Sequence, residues 1–116
     1  MYQVYIVDHF LRQLKWYLKK FPHLENDIVE LLENFSPIGS VHMGRKLYKI
    51  RLKSSDIPKG KNTSFRLMAL VLETTHAIVP ITLYFKSERA AISTHTLEHH
   101  LAIVRAELQT LRLLNN

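Results

Sequence analysis

The spacing of apolar residues changes once along this chain, and that change limits the folds open to it. Phe10, Leu11, Leu14, Leu18 and Phe21 recur three and four apart, as do Leu24, Ile28, Leu31, Leu32 and Phe35. That is the period of a helix buried on one side. From Lys46 to Phe85 the period is two. Tyr48, Ile50 and Leu52 alternate with Lys49, Arg51 and Lys53, which is the pattern of a half-buried strand.

The remaining segments fall between these anchors. Tyr2 to Val7 is rich in β-branched and aromatic residues and reads as a short strand. Asp8 is placed to cap the helix that follows. Pro22 separates the two helices, and Ser36-Pro37-Ile38-Gly39 is the exit turn. Basic residues line the outer face of the first helix and acidic residues that of the second, as in a helical hairpin. Ser40 to Met43 is a weak strand. Ser64 to Glu73 is almost continuously apolar, so it belongs at the centre of a sheet. Ala77 to Phe85 is a strand whose Pro80 cannot donate to a ladder, which predicts an edge or a bulge there. Leu97, Leu101, Val104, Leu108 and Leu111 form a seam on a last helix, expected to pack on its own domain. The order is β-α-α-β-β-β-β-α. This predicts an α+β fold in which an antiparallel, twisted sheet carries the N-terminal helical hairpin on one face and adds a C-terminal helix. At 116 residues and 47% hydrophobic content, one domain spanning 1–116 is expected.

Alternation assigns faces. Tyr48, Ile50 and Leu52, then Phe65, Leu67, Ala69 and Val71, then Val79, Ile81, Leu83 and Phe85 should bury against the hairpin. The opposite face holds Lys49, Arg51, Lys53, Arg66, Met68, Leu70, Thr82, Tyr84 and Lys86. If the Ser54–Thr63 loop closes a symmetric hairpin, Arg51 lies opposite Arg66. If the next turn centres on Thr75, Arg66 lies opposite Tyr84. A row Arg51–Arg66–Tyr84 then crosses three strands, flanked by Lys49, Lys53 and Lys86.

Charge concentrates in the same region. Between Arg45 and Arg66 there are eight basic residues against Asp56 alone, net +7, while the whole chain is only +6. Arg45, Lys59 and Lys61 extend the cluster beyond the sheet face. Like charges directly opposite on a sheet cost on the order of 0.2–1 kcal/mol per pair. An anion between the two arginines would reverse that cost, and the guanidinium fork suits phosphate. The opposing interpretation is a solvated basic face with no ligand. Tyr84 in the row and two more lysines in the adjoining loop favour a polyanionic partner.

Other chemistries find less support. Pro58-Lys59-Gly60-Lys61 lacks the glycine spacing and following helix of a nucleotide-phosphate loop. The seven histidines match no recognised ligand spacing, so no metal and no cofactor are expected; His95 and His99, one turn apart, are the nearest approach. The chain has no cysteine, which removes disulfides and fits a reducing, cytoplasmic setting. The longest apolar run, Leu67 to Leu72, is too short for a bilayer, and the first residues lack the features of a secretory signal.

Leu47-Tyr48-Lys49-Ile50-Arg51-Leu52, then Lys59-Gly60-Lys61, then Phe65-Arg66, then Tyr84-Phe85-Lys86-Ser87-Glu88, resembles the RelE/HigB family of bacterial type II toxins. The resemblance runs through nearly the whole chain, including the helical hairpin. It implies an enzyme, an mRNA interferase: a ribosome-dependent, metal-independent endoribonuclease in which the messenger's own 2′-OH attacks the adjacent phosphate. It also implies a cognate antitoxin partner, contact with operator DNA only through the antitoxin complex, and no membrane role. By the same likeness Arg66 stabilises the transition-state phosphate, and Arg51 and Lys86 assist it. Lys49, Lys61 or Lys86 serves as base or acid. Tyr84 orients the 2′-OH or stacks on a base. Arg45, Lys49, Lys53 and Lys59 hold the RNA. Two departures stand out. Asn62-Thr63-Ser64 replaces the glycine that commonly precedes the aromatic-Arg pair, and no tyrosine follows Tyr84. Two other functions fit the same residues: a catalytically silent binding module of this fold, and a relative of the gyrase-inhibiting toxins.

Overall fold

The computed structural model of the chain describes residues 1–61, 63–88 and 91–112. The elements are β1 (Gln3–Val4), α1 (Asp8–Leu18), α2 (Leu24–Glu33), β2 (Val41–His42), β3 (Leu47–Leu52), β4 (Phe65–Leu72), β5 (Ala77–Phe85) and α3 (Thr94–Thr110). Five strands form one sheet in the order β1-β5-β4-β3-β2, with the apolar β4 at its centre. The fold is α+β, as expected.

One strand departs from expectation. The neighbours β2 to β5 pair antiparallel, but β1 joins β5 in parallel, so the sheet is mixed. The outer edge of β5 carries backbone groups that need partners. The first residues supply them: Gln3 N–H donates to the His76 carbonyl and Tyr5 N–H to that of Ile78. The chain then leaves for α1, which limits β1 to two residues.

Pro80 sits at the expected bulge. Met68 pairs with Thr82 and Ala69 with Pro80, leaving Ile81 as the extra residue of β5. The bulge shifts alternation by one. Val79 pairs with Leu70 and shares its face, on the side of Arg66, where strict alternation had placed it against the hairpin.

Both faces of the sheet's centre are covered. Phe10 and Leu14 of α1 and Leu24, Ile28 and Leu32 of α2 are fully buried. Tyr17 and Phe21 meet Phe65 edge to face, and Phe35 meets Tyr48 in the same way, so the hairpin closes the predicted apolar face. On the other side, α3 packs on β5 and α1 through Leu97, Leu101, Val104 and Leu108. Met68, Leu70, Val79 and Thr82 on this side are also buried, and the Thr82 hydroxyl donates to Gln13 Oε1 of α1 at 2.6 Å. Leu111, the expected last member of the seam, is exposed.

Helix α3 also finishes α1. The side chain of Asp8 makes no cap; the residue before the helix is Val7, which cannot. The carboxylate of Glu107, 99 positions away, accepts the N–H groups of Asp8 and His9, each at 3.0 Å. A negative charge on unpaired amides at the positive end of the helix dipole is favourable. Beside it, His9 Nε2 and His100 Nδ1 lie 2.7 Å apart. Burial and the nearby Arg12 hold His9 below its ordinary pKa. No helix among the described residues is long and apolar enough to cross a membrane.

Candidate nucleic-acid interface

The predicted row is present. Arg51 pairs with Arg66, and Arg66 with Tyr84. Lys49, opposite Met68, lies two residues from Arg51 on the same face. Arg51 is exposed and Arg66 is half-buried. Neither arginine is paired with a carboxylate among the described residues. Alternation along a strand and the two connecting loops are enough to bring these groups together, because they set register without reference to any distant contact.

Ser64 joins two of the predicted residues, Arg66 and Lys86, and was not among the expected site residues. Its hydroxyl accepts a hydrogen bond from Arg66 Nη1, and its carbonyl accepts the backbone N–H of Lys86 at 2.9 Å. Ser64 is buried, so the contact is fixed rather than exchanged with water. The signal available in the sequence was a serine two residues from an arginine on one face of a strand. Asn62, which precedes this segment, lies outside the described residues.

The loop after β3 is built to leave its lysines unopposed. Ile57 anchors it in the core, and Ser54 Oγ accepts the N–H of Asp56. Asp56, the single acid of the basic segment, turns toward α2. It accepts the His23 N–H at 2.8 Å and pairs with the His23 ring at 2.7 Å. This hydrogen bond and the opposite charge raise the pKa of His23 and lower that of Asp56. Asp27 holds Ser55 through both its N–H and its hydroxyl. Lys53 Nζ donates to the Lys61 carbonyl at 2.8 Å, drawing the loop back onto β3. Lys59, Lys61 and Lys86 are exposed.

Two predicted residues sit differently from expectation. Arg45 is not part of the cluster. It lies before the other end of β3 and is ion-paired with Glu98 of α3, a partner invisible in local sequence. Its backbone, like that of Gly44 and Lys46, is left-handed, at φ 52°. That conformation is unfavourable for a residue with a Cβ. Tyr84 occupies its place in the row but is only 4% exposed. Its ring therefore offers no face to a base in this structure.

Among the described residues no group of three or more His, Cys, Asp or Glu is placed to hold a metal ion. His100, next to the expected His95 and His99, is turned toward His9 instead.

No family model matches the chain, and no curated protein matches it by sequence. Among the solved structures similar to it are two of the E. coli RelE toxin. One is a double arginine-to-alanine mutant of the E. coli toxin RelE in the free state, at 21% identity and TM-score 0.47, covering 77% of this chain and 87% of that one. The other is the intact E. coli RelBE toxin–antitoxin complex, at 21% identity and TM-score 0.46, covering 72% of this chain and 94% of that one.

Proposed function

We propose that residues 1–116 act as one toxin domain of a type II toxin–antitoxin system, a ribosome-dependent and metal-independent mRNA endonuclease of the cytoplasm. One observation carries this reading: two arginines stand directly opposite on adjacent strands with no carboxylate on either among the described residues, while Asp56, the one acid between them in sequence, is engaged by His23. Such a pair is repulsive until an anion lies between them. The residue pattern that resembles the RelE/HigB toxins falls on the same positions.

In this reading the messenger's 2′-OH attacks the adjacent phosphorus. Its proton passes to a base, the bond from phosphorus to the 5′ oxygen breaks, and an acid protonates that oxygen. Arg66, held by Ser64, stabilises the charge that develops on the phosphorane oxygens. Arg51 and Lys86 make the second contacts, and Lys61 or Lys86 moves the protons. Lys49, Lys53 and Lys59 bind flanking phosphates, and Arg45 has no part. The cognate antitoxin silences the domain and connects it to operator DNA.

A second reading is favoured by the burial of Tyr84: a binding module that docks RNA without cutting it. The two separate on purified ribosomes carrying a defined messenger. The nuclease yields discrete cuts in the A-site codon that vanish with Arg66→Ala. The module yields binding and an intact messenger.

A further inference from the structure

We propose that Trp16 and the cavity beside it form a stacking subsite for one base of the single-stranded RNA flanking the cut. The proposal rests on the RNA-cutting reading and extends it to a part of the surface which that reading leaves unused.

Trp16 is 72% exposed on α1, although the helix has a buried face available two residues away at Leu14. Leaving an indole in water forgoes a large burial gain. The cavity at its side, about 290 Å³, is lined by Tyr17, Lys20, Phe85, Ser87 and Glu88. That volume is at the lower edge of the roughly 300–1,000 Å³ of small-molecule sites, so it suits one planar ring better than a larger group. Phe85 and Ser87 flank Lys86 in sequence, with Phe85 on the hairpin face and the basic row on the other, so the cavity lies across the end of β5 from that row.

The chemistry of the lining selects the occupant. Aromatic faces accept any base, since every base has a π-face. Lys20 follows Trp16 by four residues and brings its ammonium to 5.7 Å from the Phe21 ring, at the rim, where a phosphate would pass. Lys15 and Lys19 add charge on the same exposed stretch. Glu88 repels a phosphate but accepts hydrogen bonds from an amino or imino edge. Its N–H is tied to the Phe85 carbonyl at 2.9 Å, which holds the turn against the cavity. A nucleobase inside and its phosphate on Lys20 satisfy all of these groups together.

Trp16 is the only tryptophan of the chain, so its emission reports this site alone. The test titrates the full chain with a short single-stranded RNA, 2′-O-methylated to prevent cutting, and with inorganic polyphosphate as a polyanion without bases. The RNA should quench Trp16 and polyphosphate should not. Trp16→Ala should weaken RNA binding about tenfold by anisotropy, with Trp16→Tyr retaining most of the affinity. Lys20→Ala should weaken it severalfold. RNA binding with unchanged emission, or equal affinity in Trp16→Ala, overturns the subsite. Quenching without ribosomal cleavage leaves the subsite standing and removes the nuclease. Cleavage without quenching does the reverse, and no binding of the free RNA removes the subsite while leaving the nuclease to the ribosome assay.

Discussion

Arg51 and Arg66 face each other across β3 and β4, one exposed and one half-buried, and among the described residues Arg66 alone of the two is held, by the Ser64 hydroxyl. The asymmetry divides their duties. Arg66 is oriented before any ligand arrives, which lowers the reorganisation needed when charge develops on a phosphate. Arg51 remains free to follow the backbone.

Arg51→Ala therefore removes a repulsion and no buried contact. The melting temperature should hold or rise, by the equivalent of roughly 0.2–1 kcal/mol. A loss of several degrees in a thermal melt would show that Arg51 is structural.

Ser64→Ala should leave the fold intact and reduce cleavage about tenfold, as expected for a hydrogen bond to a charged group. The loss should appear in the turnover rate and not in affinity for the ribosome. Single-turnover cleavage alongside a binding measurement distinguishes the two; an unchanged rate would remove Ser64 from the positioning role.

The tether of the basic loop depends on pH. The pKa of His23 is raised above its ordinary 6.5, so its share is fully present below pH 6.5 and is lost as pH rises through the raised value. The pKa of Asp56 is lowered from 3.8, so its share is present above pH 3.8 and is lost as pH falls through the lowered value. The ion pair is complete from pH 3.8 to 6.5. Hydrogen exchange of residues 55–57 should quicken on raising the pH above this window, after correction for the intrinsic rate. Asp56→Asn should show the quicker exchange at pH 6 with little change in global melting.

Glu107→Ala uncovers the first amides of α1 and should cost about 0.5–2 kcal/mol in urea unfolding, as cap removal does. Glu107→Gln, which keeps one acceptor oxygen, should cost less. Equal stability of Glu107→Ala and the parent would mean that water replaces the carboxylate.

What could be seen in the sequence was what local rules control. The row Arg51–Arg66–Tyr84 emerges because period two fixes faces and two loops fix register. The bulge at Pro80 follows from its missing N–H. What could not be seen were contacts made across the fold. Gln3 and Val4 choose the edge of β5, and nothing in their identity sets a parallel direction. Met68, Leu70 and Thr82, on the face expected to lie opposite the core, are buried as well, and Thr82 bonds to Gln13 of α1. The diversion of Arg45 to Glu98 and the capping of α1 by Glu107 both depend on α3. The bulge was anticipated, but its effect on Val79 was not, because a one-residue slip reverses every side chain beyond it.

The central claim is that Arg66 acts on a scissile RNA phosphate. The most direct measurement is primer extension on a defined messenger bound to purified ribosomes, with the parent chain and with Arg66→Ala. The parent should cut within the A-site codon, leaving a 5′-hydroxyl on the downstream fragment, and Arg66→Ala should lose at least a hundredfold in rate, on the order of removing one transition-state donor. Intact messenger with the parent chain, or equal cutting by a folded Arg66→Ala, would contradict it.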